Sequence, residues 1–178
     1  MGFILPTPGG PGDARPVRPA RNLFLLAAAT AAPAAAQPQA LGIFGGWGAF
    51  EGGDRCYAIT QPDEAPPAEG WPAFASVGHW RARAGGGQLH VRLSREKRQG
   101  SAVLLRIDGR SFQLIGGGRD AWASDPRADQ EIQAAMRTGI DMIVETRSSQ
   151  GLAVRDHYRL RGAATAMDAA AIACARRG

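Results

Sequence analysis

Two cysteines, Cys56 and Cys174, are the residues with the greatest chemical potential in this sequence, and they lie far apart in the chain. Cys56 belongs to the stretch WGAFEGGDRCYAITQP (47–62), in which two apolar runs flank a Gly-rich turn and predict two short strands. The residue types leave three hypotheses open: a disulfide, separate buried thiols, or a reactive or metal-binding thiolate. A reactive thiolate needs a neighbouring cation or base, and the adjacent Arg55 would point to the opposite face of a strand.

Three histidines, His79, His90 and His157, are the other candidates for catalysis or metal binding. They lack the spacing of a zinc site, and the main possibility for a metal site is that His79 meets His90 across adjacent strands. No GxSxG nucleophile motif is present. Asp156 and His157 are consecutive on a predicted strand, so their side chains should face opposite sides. The sequence therefore predicts no catalytic residue, no metal and no cofactor.

The N-terminal segment is typical of a secretory signal peptide. Arg15, Arg18 and Arg21 precede the apolar run NLFLLAAATAAPAAA, which ends in small residues. We predict a signal peptide over 1–36, cleaved after Ala36, and a periplasmic, secreted or envelope-associated mature protein. The alternative is an Ala/Pro-rich tail on a cytosolic protein. Export would favour a disulfide between Cys56 and the C-terminal cysteine, closing a loop of roughly 118 residues.

The charge of the chain excludes a dedicated nucleic-acid binder. The sequence holds 21 basic and 16 acidic residues, and the first 36 residues contain three of the arginines and one aspartate. The predicted mature chain thus carries a net charge of about +3, with acids and bases interspersed. Nucleic-acid binding proteins usually show a clustered basic face.

The elements that must position these residues are mostly strands separated by Gly- and Pro-rich turns. Residues 37–178 are predicted to form a single mainly β domain, a sandwich or half-open barrel of about eight strands. One helix is inserted at 126–138, where Asp125 can cap, Pro126 can begin and Gly139 can end it. A second, Ala-rich helix covers 163–175 and places Cys174 on its buried face. The predicted strands are 47–50, 55–60, 74–81, 88–94, 102–107, 111–115, 141–147 and 152–160.

Four residues are predicted to form a candidate binding surface. Trp71, beside a proline in a loop, is the best candidate for an exposed recognition residue. Arg95, Lys97 and Arg98 are predicted to form a charged hairpin tip, which is either a solvated turn or a contact for anionic lipid or glycan.

Four further residues are predicted to be structural: Trp47, Trp122, Asp156 and Gly162. The two tryptophans are expected in the core. Asp156 is interpreted as an acceptor that anchors the turn before the last helix, paired with Arg147, Arg159 or Arg161.

Several segments occur together in a recognisable order: WGAFEGGDRCYAITQP, AWA (121–123) before the Pro-started helix, AMRTG at its end, and SSQGLAVRDHYRLRG (148–162) before an Ala-rich helix ending in Cys. In this order the chain resembles the invasion-associated locus B family over essentially the whole predicted exported domain. The family's pattern of Trp, Cys and a final Cys is matched at Trp47, Cys56 and Cys174. The chain departs from four-cysteine members, because Gly52 or Gly53 stands where they carry an additional cysteine.

This resemblance implies an exported, mostly β envelope protein without an established catalytic activity. We therefore predict a non-catalytic protein that binds an envelope or host protein or another envelope component, with a role in host-cell invasion or envelope integrity. The alternative is a periplasmic small-ligand carrier or hydrolase, which a deep pocket with converging His, Asp or Ser side chains would favour. Peripheral contact with membrane or glycan fits this prediction, nucleic acid does not, and the sequence predicts no oligomeric state.

Overall fold

Ten antiparallel strands in a single sheet and two helices make up the computed structural model of this chain. The structure describes residues 37–64, 71–82 and 86–176; the predicted signal peptide (1–36) and the end of the Pro-rich loop (65–70) lie outside the described residues. The elements, in chain order, are β1 (Gln39–Phe44), β2 (Trp47–Gly52), β3 (Arg55–Thr60), β4 (Phe74–Trp80), β5 (Gln88–Arg92), β6 (Val103–Ile107), β7 (Arg110–Gly117), β8 (Asp120–Ala123), α1 (Pro126–Thr138), β9 (Asp141–Arg147), β10 (Ala153–Arg159) and α2 (Ala163–Ala175).

The predicted mainly β class, with one inserted and one C-terminal helix, is confirmed. Strand order across the sheet is β1-β2-β3-β4-β5-β8-β7-β6-β9-β10. The structure has ten strands rather than about eight, because β1 and β8 were not predicted. β1 is an edge strand whose residues are exposed or half-buried on both faces. Its sequence therefore lacks the alternation of apolar and polar residues that would predict a strand. β8 has only four residues, which is too short for a periodic signal.

The sheet curls around one apolar core without closing into a barrel. Trp47, on the second strand of the order, is fully buried, and its indole Nε1 donates a 2.9 Å hydrogen bond to the carbonyl of Arg159 on the tenth. The end strands β1 and β10 do not pair with each other in the described residues. Residues from nearly every strand and both helices share the enclosed core, with Trp47 in its predicted structural role.

Helix α1 begins and ends where its sequence signals predict. The Asp125 side chain accepts a hydrogen bond from the main-chain N–H of Ala128 at 2.9 Å, which satisfies one of the free amides at the helix start. Two buried polar residues then fasten the helix to the sheet. Asp129 accepts the N–H of Leu89 at 2.7 Å, and Gln133 donates to the Gly87 carbonyl at 2.6 Å. These contacts fix the position of α1 against the beginning of β5.

Helix α2 packs on the inner face of the sheet through small side chains. Its buried residues are Ala163, Ala166, Met167, Ala170 and Cys174. The last two contact Cys56 on β3 in a small cluster of their own. Cys56 and Cys174 form a disulfide, with their Cα atoms 5.6 Å apart and 118 residues between them in sequence. Of the three hypotheses for the cysteines, the disulfide is therefore the one that the structure shows.

The turn into α2 requires a glycine at position 162. Gly162 has a φ of +91°, and a Cβ placed on it would lie 1.9 Å from the carbonyl oxygen of Phe44. No side chain fits this space, because the atom that it would meet belongs to the main chain of β1. Gly162 therefore lets the start of α2 and the end of β1 come into direct contact, as its predicted structural role requires.

The disulfide should be a major source of stability. Replacing Cys56 or Cys174 with Ser should lower the free energy of unfolding by a similar amount, roughly 4 kcal/mol, because either change frees the same long loop in the unfolded chain. The double variant should lose no more than the single variants, since all remove one bond. Urea denaturation of the four proteins measures this. Additive losses in the double variant would show that the two cysteines stabilise the fold independently.

A pair of glycine variants should separate backbone strain from steric conflict. Gly162→Ala should destabilise the protein by roughly 3 kcal/mol or more, since it combines positive φ with a main-chain clash. Gly151 is the matched control: its φ is +83°, and a Cβ there would meet nothing within 4 Å. Gly151→Ala should cost only the backbone term, about 1 kcal/mol. Equal losses on thermal unfolding would show that no close contact exists at position 162.

Candidate functional site

Strands β3 and β4 carry large side chains on the face that the helices do not cover. On β3, the small residues Cys56 and Ala58 point inward, while Tyr57 and Ile59 point outward and are half-buried. On β2, Phe50 points outward and is half-buried, while Trp47 and Ala49 point inward and are fully buried. Side chains alternate between the two faces of a strand, so this pattern builds an apolar outer surface as well as an inner core.

A single cross-strand row runs along the middle of this outer face. The register places its members directly opposite one another on β1, β2, β3, β4, β5 and β8: Ile43, Gly48, Ile59, Ser76, His90 and Trp122. Six neighbouring strands span about 24 Å at the usual strand spacing. The row is therefore long enough for a ligand much longer than a single small molecule.

Aromatic rings flank this row and lie close to the sheet. Phe50 and Tyr57 stack with their ring centres 5.6 Å apart, and the Arg55 guanidinium lies 5.2 Å from the centre of the Tyr57 ring. The ring of Trp80 occupies the space above Gly78, since a Cβ on that glycine would lie 3.3 Å from its Cη2 atom. Because Gly78 has no side chain, it leaves room for the far edge of the Trp80 ring at this position.

His90 forms the polar centre of the outer face. Its Nε2 lies 2.8 Å from Oδ1 of Asp120, whose carboxylate also binds Arg92 at 3.1 Å. The imidazole stacks on Trp122, with ring centres 5.2 Å apart and planes 7° apart, and the Phe74 ring meets it edge-on at 5.0 Å. These contacts hold the polar groups in fixed positions between aromatic surfaces.

Together these residues line an open groove, which we name the aromatic groove, with a volume of about 1280 Å³. Trp71 stands in its wall with 76% of its surface exposed, and its role in recognition stays a prediction. Groove-lining residues also include Pro38, Gln61, Pro72, Gln88, Asp63, Arg159 and Arg161.

Cations outnumber anions in the aromatic groove. Its charged lining residues are four arginines (Arg55, Arg92, Arg159 and Arg161) and two aspartates (Asp63 and Asp120). Arg159 donates to Asp63 at 2.9 Å, and this hydrogen bond, assisted by His157, holds the pKa of the Asp63 carboxyl below its usual range. Arg55 and Arg161 form no ion pair among the residues that the structure describes.

The other predicted surface residues lie outside this groove. Segment 95–98 is not a hairpin tip, because it connects β5 to β6, and β8 and β7 lie between those two strands in the sheet. Its main chain is held by hydrogen bonds from Lys97 N–H to the Gly118 carbonyl and from Arg98 N–H to the Arg147 carbonyl. Lys97 and Arg98 line a separate cavity of about 520 Å³, and Arg95 is exposed. The four residues predicted to form one surface therefore lie apart: Trp71 is in the aromatic groove, whereas Arg95, Lys97 and Arg98 are outside it.

Two residues predicted to be structural have different surroundings from those expected. Trp122 is half-buried on the outer face, where it stacks on His90, because β8 pairs with β5. Asp156 is buried and accepts the N–H of Ser94 at 2.9 Å. It therefore anchors the chain after β5, not the turn before α2, and burial raises the pKa of its carboxyl.

Within the described residues of the aromatic groove, Ser76 and His90 are not hydrogen-bonded through their side chains. Ser76 is opposite His90, but its hydroxyl donates to the main-chain oxygen of His90 at 3.4 Å, not to the imidazole. His79 and His90 are on opposite faces of the sheet and cannot share a metal ion. Among the described residues, no group of three or more His, Cys, Asp and Glu side chains is placed to hold one.

Most residues of the aromatic groove are not among the predicted binding residues, although the sequence carries a signal for an apolar outer face. In RCYAIT, large apolar residues alternate with small apolar ones, so both faces of the strand are apolar. Strands of this kind are usually covered on both sides. Helix α2 covers one side, and the structure shows no element of the described chain over the other.

Comparisons with family models, curated proteins and solved structures return no match for this chain, so the resemblance to the invasion-associated locus B family stays a prediction. Neither helix of the described part of the chain has the length and apolar character needed to cross a membrane. The aromatic groove is the feature of the described residues that bears most directly on function.

On the inner face, His79 should make stability depend on pH. Its Nε2 is buried without a hydrogen-bond partner in the described structure. Burial, assisted by the positive charge of Arg137, lowers the pKa of the imidazole. Folding therefore favours neutral His79, whereas the unfolded chain takes up a proton near pH 6.5. Its contribution to stability is present above that pH and is lost as the pH falls towards the folded-state pKa.

The prediction is that His79→Gln loses less stability than the natural protein between pH 7.5 and pH 5.5. Urea denaturation at the two pH values measures the difference, and each protein serves as its own reference at pH 7.5. An identical loss in both proteins would mean that His79 accepts its proton without cost in the folded state.

Proposed function

We propose that this protein is an exported, non-catalytic bacterial envelope protein of the invasion-associated locus B type, and that it binds an envelope component in the aromatic groove. The observation that carries the proposal is the outer face of β2 to β5 and β8. Aromatic rings and fixed polar groups are placed there on a rigid sheet, with no part of the described chain packed over them. Exposed apolar surfaces rimmed by polar residues are characteristic of interaction sites.

The disulfide supports the export part of the proposal. Disulfides persist in oxidising compartments and are rare in the bacterial cytosol, and Cys56 and Cys174 form one here. Export is also what the basic, apolar and small-residue segments before Gln37 predict. A periplasmic, secreted or envelope-associated location after cleavage at Ala36 is consistent with both features.

The size and openness of the groove support an extended ligand over a small one. Small-molecule sites typically have volumes of about 300–1000 Å³ and enclose most of their ligand. The aromatic groove has a volume of about 1280 Å³ and extends across six strands. The hydrolase alternative has weaker support, because the Ser76 hydroxyl is engaged by a main-chain oxygen.

Photo-crosslinking in living cells tests this proposal. A benzophenone amino acid at Trp71, in the groove wall, should form a specific crosslinked product with a non-cytosolic partner. The same substitution at Ile172 is the control, since this residue is 49% exposed on α2, which packs on the opposite face of the sheet. Mass spectrometry of the purified protein should also find Gln37 as the first residue.

Two outcomes would contradict the proposal. If positions 71 and 172 gave the same products, the groove would have no privileged role in binding. If the full-length chain remained in the cytosol with 1–36 attached, the envelope assignment would be wrong.

A further inference from the structure

We infer that the ligand of the aromatic groove is an acidic glycan, a strand of sugar rings that carries carboxylate groups. This inference rests on the proposed function and names the chemistry of its ligand. It follows from three properties of the groove: exposed aromatic surface, polar side chains that can form further hydrogen bonds, and an excess of arginine.

The ring surfaces suit the faces of sugars. The face of an aromatic ring carries negative partial charge, and one face of a pyranose presents a cluster of C–H groups with positive partial charge. Trp71 is 76% exposed in the groove wall, and the edge of the Phe50 ring reaches over Gly48, whose added Cβ would lie 2.6 Å from it. The groove therefore offers aromatic surface on which successive sugar rings of one strand could pack.

The polar centre suits hydroxyl groups better than a peptide main chain. Asp120, His90 and Arg92 already bind one another, but a carboxylate has about four acceptor sites and a guanidinium five donors. A sugar hydroxyl both donates and accepts, so it can join such a network from either side. A bound peptide must instead satisfy one N–H and one C=O per residue, and the central strands β2 to β5 already use their main-chain groups in the sheet.

The charge balance selects an acidic glycan over a neutral one. Four arginines and two aspartates line the groove. Arg92 and Arg159 are neutralised by the aspartates. Arg55 and Arg161 are exposed and form no ion pair within the described residues, which leaves two cations for carboxylates of the ligand. Such exposed pairs are screened by salt, so affinity should fall as ionic strength rises.

Calorimetric titration of the exported, disulfide-bonded protein tests this inference with a matched pair of probes. One probe is a hexamer of galacturonic acid, and the other is the same hexamer after its carboxylates have been reduced to alcohols. The acidic hexamer should bind about ten-fold more tightly at low salt, as two exposed ion pairs allow. The difference should shrink as sodium chloride is added.

Variants locate the binding on the groove. Trp71→Ala should weaken both hexamers, because it removes an aromatic surface and no charge. Arg55→Gln combined with Arg161→Gln should weaken only the acidic hexamer, to the level of the reduced one. Arg95→Gln combined with Arg98→Gln removes the same charge from a surface outside the groove and should change neither affinity.

Equal affinity for the two hexamers, no binding of either, or equal losses in the two arginine double variants would overturn the inference. A peptide of Glu-Pro repeats with the hexamer's charge is the competing probe. If this peptide binds and the sugars do not, or if Trp71 crosslinks to a protein in cells, the glycan inference fails while the proposed function stands. If Trp71 forms no specific crosslink in cells, the proposed function itself fails.

Discussion

The contact between α2 and the inner face of the sheet is the constraint on which the rest of this structure depends. The helix presents Ala163, Ala166 and Ala170, and the strands beneath it present Ala49, Ala58 and Ala75, all buried. Small residues on both sides let helix and sheet approach closely, and the Cys56–Cys174 bond fixes that contact covalently. The large side chains of β3, Tyr57 and Ile59, lie on the outer face instead. The apolar groove thus lies on the face of the sheet opposite the one that α2 covers.

Local signals were sufficient to predict the helices and one hairpin. Asp125 and Pro126 mark the start of α1 because capping depends on neighbouring residues only. Asp108 and Gly109 both adopt positive φ in the turn between β6 and β7, as the Asp-Gly pair predicts. The disulfide was accessible as well, because two cysteines allow only one intramolecular pairing and the predicted export favours its formation.

The groove could not be predicted, because it depends on pairings between distant segments. His90 meets Trp122 only because β5 pairs with β8, which is too short to show a period, and this pairing also turns segment 95–98 into a crossover instead of a hairpin tip. Buried polar contacts are equally non-local: Asp156 binds the N–H of Ser94, 62 positions away. Neither residue carries a pattern that would indicate its partner.

The central claim is that the outer face of the sheet is covered by a ligand in the cell. Hydroxyl-radical footprinting of the protein in intact cells and after purification tests this claim most directly. The account predicts that Tyr57, Trp71 and Trp80 are oxidised more slowly in cells than in the purified protein. Phe112, a half-buried ring outside the groove, should be oxidised at the same rate in both. Equal oxidation of the groove residues in cells and in the purified protein would contradict the account.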